Sequence, residues 1–418
     1  MYHTYNQSGY ENTPIPDEND VFKLVSRIPD FTSVYTHWGL GDYIKKAPTA
    51  GKPCPKNPGK KTSTKFRFRK GWEQSGRWHH NDIDSGASQG PIEFAKWYFG
   101  IGDDIDAAME VLNAAGIEFT DLRGTGYQPQ TTLNPITQTP LTDEQIAARK
   151  VEEYEEAKQK VISIAKAWQG GLEISHPVAR DLLDKHLQIR GFPAGHVDRM
   201  PRHIRVNMNL CYHQSFRSEN KNAFYAGWII PVAGPDGKRI TIHRHFMQKD
   251  TGAIVPEEKR KLMMGSPWDL PPGSHLEYDK PLVFNLENGD KAVQYNLGEG
   301  AETMEAVRII MDEPVQPMIS TGLLQNFIPK PEDIEGIKPE NVLIDFWIDK
   351  DSPDPNDSLG RGPGEIAADR AIERLSNLGY NCAKNVPPLE IPVGKKGVDW
   401  LNAYLQYPLE ELRQSLVN

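Results

Sequence analysis

The chain has 418 residues, 38% of them hydrophobic, with 35 Gly, 33 Pro and only 3 Cys. That length predicts two or three domains, and cysteines at 54, 211 and 382 are too few for a disulfide framework, so a reducing, cytoplasmic setting is expected. The net charge of −9 argues against nucleic acid for the chain as a whole, and no stretch of 18 consecutive apolar residues is present to cross a membrane.

The N-terminal "MYHTYNQSGYENTPIPDEND" has neither a basic nor an apolar segment, so no signal peptide is expected. Charge is uneven further along. Residues 51–80 hold nine Lys/Arg against the single acid Glu73, a local +8, which leaves about −17 on the remainder. Such asymmetry fits either a nucleic-acid-binding module or a solvated basic loop. A helical pair follows, Pro91 to Phe99 and Asp104 to Ala115, the second closed by Gly116. Residues 123–141, rich in Gly, Pro, Thr and Gln, read as a linker. Thr142 with Gln145 forms a capping box for a long charged helix that stops at Gly170-Gly171. A second helix runs from about His176 to Gln188 with Pro177 in its first turn. "AFYAGWIIPVA" and "KRITIHRHF", separated by Gly234-Pro-Asp-Gly237, predict a hairpin. From about 281, short apolar strands alternate with helices at 301–311, 364–378 and 398–406, a pattern that predicts a largely parallel, helix-covered sheet.

The acids in this last region are ordered. Glu299 stands between two glycines where "AVQYNLGE" leaves its strand. "NVLIDFWIDKD" ends in Asp349 and Asp351, which share one side of an extended chain. Asp399 opens the final helix. Carboxylates gathered beyond strand carboxyl ends, where open α/β sheets bind ligands, repel one another without a hard cation such as Mg²⁺. Glu302 and Glu305, on the helix after Glu299, read as solvated helical acids, and His243 and His245 as structural histidines.

Glu, then Asp-x-Asp about fifty residues on, then "GRGPGEIAADRAIERL" at 360–375 resembles the Toprim domain of primases, topoisomerases and some nucleases. Upstream, "HPVARDLLDKHLQIRGF" (176–192) and "ITIHRHFMQKDTGAIVPEEKRKLMMG" (240–265) resemble the segment preceding Toprim in phage- and plasmid-type DNA primases, and "PMISTGLLQNFIP" (317–329) fits the strand and loop between the Toprim acids. The resemblance covers roughly 175–405. It implies an α+β, α/β multidomain chain: a small zinc-ribbon-like β domain at 1–122, the linker at 123–141, a helical and β segment at 142–275, and a Toprim domain with a mainly parallel sheet at 276–418. It further implies synthesis of short RNA primers on single-stranded DNA from ribonucleoside triphosphates, for a phage, plasmid or other mobile element. Glu299, Asp349 and Asp351 would be catalytic. The same three and Asp399 would hold Mg²⁺ or Mn²⁺, and Arg244 and Lys261 would line the nucleotide and template path. No Walker-type Gly-Lys-Ser/Thr loop is present, so unwinding would fall to a separate helicase or replication initiator.

The zinc ribbon of that family is degenerate here. "KPCPKNPGKKTSTKFRFRKGWEQSGRWHHND" keeps Cys54, with Asn57 at its partner position, and His80 where one later cysteine belongs. With His79 and Asp82 these make a poor tetrahedral set, and a zinc-free ribbon-like fold is expected. Lys65, Arg67, Arg69 and Lys70 are candidates for phosphate contacts, whereas Phe66 and Phe68, on one face of a strand, fit a small core. Two competing readings share these residues: a Toprim nuclease, and a non-catalytic single-stranded-DNA-binding replication protein.

Overall fold

The computed structural model describes residues 21–45, 48–56, 66–80, 89–119, 138–212, 223–257, 259–266, 270–271, 273–353, 357 and 359–416. Lys65, Asp82 and most of the expected linker lie outside these residues. Two compact units make up the chain, 1–154 and 155–418, and the long helix Asp143–Gln169 crosses the boundary with Thr142 and Gln145 exchanging the capping-box bonds. No helix among the described residues is long and apolar enough to cross a membrane.

The first unit is mostly helical where it is described. Short helices Val21–Ser26, Thr32–His37 and Gly41–Ile44 precede a small hairpin, Phe66–Phe68 against Trp78–His80. The helices Pro91–Phe99 and Asp104–Ala115 stand as the sequence predicts. Asp103 caps the second of them by accepting from the Ile105 and Asp106 N–H groups. The short N-terminal helices were not legible in the sequence. They exist because Val25, Phe31, Val34, Tyr35 and Trp38 bury against the hairpin rings. Phe66, Phe68, Trp78 and Phe94 are fully buried, Tyr35 meets Phe68 edge-on at 4.7 Å, and Trp78 stacks on Trp97 at 5.0 Å. The two phenylalanines are therefore core, and this aromatic cluster organises the hairpin. Cys54 is a half-buried free thiol, and the His80 ring lies 5.3 Å from that of Trp97.

Among the described residues the second unit holds two large sheets and one two-residue ladder. One is antiparallel, in the order Gly171–Glu173, Arg205–Tyr212, Ala223–Ala233, Arg239–Met247, Lys261–Met263, with His275–Leu276 also paired to Ala223–Ala233. The predicted hairpin is its centre. The other runs Gln316–Pro317, Lys291–Gly298, Val342–Trp347, Asn381–Asn385, all parallel, with Leu282–Asn285 antiparallel along the first half of Lys291–Gly298. Asn381–Asn385 was not expected, since its polar residues carry no strand pattern; pairing with Val342–Trp347 supplies what propensity does not. The parallel sheet is covered on both faces, as parallel sheets require. On one face Tyr295, Ile344 and Phe346 pack with Ala368, Ala371 and Leu375 of the helix Pro363–Ser376. On the other lies the helix Ala301–Met311, which shares a core with Trp228 and Ile230 of the antiparallel sheet and with Trp347 and Trp400.

That helix corrects one expectation. Glu302 and Glu305 are not solvated: they are 5% and 0% exposed. The helix is buried from Ala301 to Ile310, so no face was left for charge except through partners. Glu305 accepts from the Tyr278 hydroxyl at 2.5 Å and the Arg308 Nε at 2.9 Å and meets His196 Nε2 at 2.7 Å. These contacts outweigh burial and hold its carboxyl at about 2. Arg308 in turn bonds Asp279 at 2.6 Å. Removing Glu305 would leave a buried guanidinium half-compensated and a histidine and a hydroxyl without acceptors. Glu305→Ala is expected to cost about 3–5 kcal/mol of unfolding free energy, read from the second unit's transition in urea by tryptophan fluorescence. Glu302→Ala should cost less, because its partners Arg190 and Lys261 reach solvent.

Candidate active site

The parallel sheet brings the ordered acids together. Gly298 pairs with Trp347, so Glu299 emerges beside Ile348, one residue from Asp349. Only glycine fits at 298, because a Cβ there would lie 2.6 Å from the Trp347 carbonyl oxygen. Beyond the sheet the chain forms a two-residue ladder, Lys350–Asp351 against Gly397–Val398. Continuing that antiparallel register sets Asp349 opposite Asp399. Gly364, at the start of the helix Pro363–Ser376, lies beside two of the acids: the position of a Cβ there is 3.5 Å from Glu299 Oε1 and 3.8 Å from Asp351 Oδ2.

Electrostatics records the crowding. Burial first, then Asp349 and Asp351, push the Glu299 carboxyl up to about 8, against one bond from the Thr321 N–H. Burial, then Asp399 and Asp351, push Asp349 up to about 7, with Lys261 opposing. Asp351 is also raised, by burial and by Glu365, while the Gly364 N–H favours its charged form. Asp349 Oδ1 is buried with no hydrogen-bond partner. Asp399 has a structural task as well: its Oδ1 accepts from the Asn402 N–H at 2.7 Å and its Oδ2 from the Thr303 hydroxyl at 3.5 Å. Among the described residues no three His, Cys, Asp or Glu side chains are gathered closely enough to ligate one ion as they stand. The donor set nevertheless suits a hard cation. It is all oxygen, it carries an orphaned buried oxygen, and Mg²⁺ keeps several waters rather than demanding an all-protein cage.

The basic residues fall in different places. Lys261, on the edge strand of the antiparallel sheet, pairs with Glu302 at 2.9 Å and acts on Asp349. Glu302 is also held by Arg190 at 3.0 Å and lies 3.6 Å from His186, and Lys261 first, then His186 and Arg190, keep its carboxyl well below the usual range despite burial. Arg190 was missed in the sequence, and Glu302 was read there as a solvated helical acid. The signal was a helix whose acids are flanked by Ala301, Met304, Ala306 and Val307, with no polar face to carry them outward. Arg244 is 6% exposed, donates to the Cys211 carbonyl at 2.9 Å and lies over Phe246. Among the described residues it has no carboxylate partner, and its Nε has no hydrogen bond. His243 and His245 pair at 2.9 Å beside it, and burial drives His243 down to about 3, so it is neutral. Arg67, Arg69 and Lys70 belong to the first unit. Arg67 sits in the hairpin opposite His79, the Arg69 N–H bonds the Arg77 carbonyl, and Lys70 is exposed.

Residues 159–270 match a family described as a domain of unknown function, DUF7146. No curated protein matches the chain. Its structural neighbours are DNA primase domains. The zinc-binding and RNA polymerase domains of the Aquifex aeolicus primase align at 14% identity over 95% of this chain and 85% of that one, with a TM-score of 0.30. The primase fragment of the bacteriophage T7 primase-helicase aligns at 12% identity over 56% and 69%, with a TM-score of 0.28. The RNA polymerase domain of the Mycobacterium tuberculosis primase aligns at 12% identity over 63% and 82%, with a TM-score of 0.32. Likeness at this level does not fix the activity of this chain.

The raised carboxyls predict a stability profile. Glu299 at about 8 and Asp349 at about 7 lie above their unfolded values near 4. Their contribution is therefore complete below about pH 4 and is lost as pH rises through 7 and 8. In chelator, the melting temperature of the second unit should fall between pH 6 and 9. Asp349→Asn should raise it at pH 8.5, by roughly 2–4 °C for each kcal/mol of repulsion relieved. Differential scanning calorimetry across that range checks both.

Proposed function

We propose that the chain is a DNA-dependent RNA primase that joins ribonucleotides on a single-stranded DNA template. The observation that carries this reading is the meeting of Glu299, Asp349 and Asp351 at adjacent carboxyl ends of two parallel strands, with Lys261, from the antiparallel sheet, opposing the raised carboxyl of Asp349. The acids alone would serve a nuclease equally. What favours nucleotidyl transfer is that the primase-resembling segment at 240–265 supplies the lysine beside them. A non-catalytic binder gains nothing from carboxylates that repel one another and depress stability near neutral pH.

In this reading Glu299, Asp349 and Asp351, with Asp399 behind them, would hold Mg²⁺ or Mn²⁺. When bound, the ions would supply charge neutralisation at the primer 3′-hydroxyl and the incoming triphosphate. Glu299 would act as general acid/base or assist the metal site. Lys261 would divide its charge between Glu302 and a phosphate. Arg244, buried and without a carboxylate partner among the described residues, would stiffen the sheet that carries Lys261 and offer charge to the nucleotide path. Lys65, Arg67, Arg69 and Lys70, within the +8 stretch, would contact template phosphates. A separate helicase or initiator would open the duplex, and replication of a phage, plasmid or other mobile element is the proposed setting.

The test is synthesis of short oligomers from labelled ribonucleotides on single-stranded DNA with Mg²⁺. Wild type should make them, Asp349→Asn should make none, and Glu299→Gln should be slower by roughly 10²–10⁴-fold, all three with unchanged circular dichroism and template affinity. Wild-type synthesis by Asp349→Asn would remove the acids from the chemistry. Cleavage of the template by the wild-type protein in place of synthesis would favour the nuclease.

A further inference from the structure

Lys261 has little of its own strand to hold it. It lies on the edge strand Lys261–Met263 with its side chain 39% exposed, and its flexible four-carbon stem would let the ammonium sweep a wide arc. One contact stops that sweep: Lys261 Nζ is 2.9 Å from Glu302 Oε2. The carboxylate that receives it is itself fixed. Arg190 brings both Nε, at 3.2 Å, and Nη2, at 3.0 Å, to the same oxygen. His186 Nε2 faces the other oxygen, Oε1, at 3.6 Å.

These two partners come from one place. His186 and Arg190 stand at i and i+4 at the end of the helix Pro177–Ile189, so they share a face. His186 is anchored from behind, with Nδ1 2.7 Å from the Gly252 carbonyl oxygen. A carbonyl only accepts, so that nitrogen carries a proton. Gly252, at φ 69°, approaches the helix closely enough only as glycine, because a Cβ there would lie 2.9 Å from the Leu182 carbonyl oxygen.

Two cations on one buried carboxylate are not required for stability, since apolar residues of similar volume often serve as well. What the arrangement secures is place. Glu302 lies in the first turn of the helix Ala301–Met311, whose cap, Gly300, directly follows Glu299. The next residue, Thr303, brings its hydroxyl within 3.5 Å of Asp399 Oδ2. An ammonium held at Glu302 is therefore held at the turn where the acids gather.

We propose that Glu302 is a positioning residue for Lys261: Arg190 and His186 fix its carboxylate, and the carboxylate fixes the ammonium beside the turn that bears Glu299. Glu302 touches no reacting atom; it acts through Lys261. That the fixed ammonium meets a phosphate rests on the primase reading; that it is fixed does not, and the experiment separates the two.

Glu302→Gln keeps the volume and removes the charge, whereas Arg190→Gln leaves Glu302 in place and removes its clamp. The lysines are reductively dimethylated with carbon-13, which keeps their charge, and the Lys261 methyl signal is assigned by its absence in Lys261→Arg. Without metal or nucleotide, that signal should stand apart from those of the solvated lysines in wild type and relax severalfold faster. It should join them in Glu302→Gln and move toward them in Arg190→Gln. In primer synthesis Glu302→Gln should lower kcat by roughly 10²-fold with the nucleotide KM unchanged. It should cost nothing further in a Lys261→Met background, because residues that act as a unit are not additive. A Lys261 signal among the solvated lysines in wild type, or one unmoved by both substitutions, would overturn the proposal. So would an equal loss of kcat in both backgrounds, which a purely structural role predicts. If Glu302→Gln does not fold, the signal in Arg190→Gln decides. If wild type makes no oligomers, the primase reading fails while the lysine signal still decides whether Glu302 holds Lys261.

Discussion

Repulsion among carboxylates at one edge of a parallel sheet is the constraint on which the second unit is built. Glu299 and Asp349 are carried there by the register that pairs Gly298 with Trp347, and Asp351 by the short ladder that pairs it with Gly397. Burial raises all three carboxyls, with Asp349 and Asp351 adding to it at Glu299, Asp399 and Asp351 at Asp349, and Glu365 at Asp351, and only scattered donors oppose this: the Thr321 and Gly364 N–H groups and the Lys261 ammonium. A fold selected for stability alone would have placed amides or apolar groups there. The unfavourable charge is tolerable because the rest of the unit is heavily cross-braced.

The brace is the helix Ala301–Met311. It begins at Gly300, directly after Glu299, and is enclosed by both sheets. Its two buried acids carry opposite consequences to Glu299. Glu302 and Glu305 are surrounded by cations and donors and stay ionised well below the usual range, whereas Glu299, on the same short segment, is surrounded by acids and is raised. Within seven residues the chain thus separates a carboxylate kept ready for protons or cations from two that are locked into structure. Glu302 also links the parts, because Lys261 bridges from it toward Asp349.

Much of this was legible in the sequence for physical reasons. Apolar runs ending in Glu299 and in Asp349-Lys350-Asp351 mark strand ends, and Pro, Gly and capping residues mark the helices Pro91–Phe99, Asp104–Ala115, Asp143–Gln169 and Pro363–Ser376. The pairing of Phe66 with Phe68 as core followed from their two-residue spacing. What was not legible depends on tertiary partners. The burial of Glu302 and Glu305 comes from Arg190, His196, Tyr278 and Arg308, distant in sequence or silent in pattern. The strand Asn381–Asn385 is polar and is defined by its neighbour, and the positive φ of Ile319 runs against the preference of isoleucine itself. The first unit's short helices likewise depend on the ring cluster around Phe66 and Trp78.

One divalent-cation site on Glu299, Asp349 and Asp351 is what the proposed function requires. Crystals grown with Mn²⁺ and measured at the manganese absorption edge test it most directly. The expected result is an anomalous peak within coordination distance of at least two of these three carboxylates, lost in Asp349→Asn. A fully occupied peak elsewhere in the second unit, with the three carboxylates bare, would contradict it.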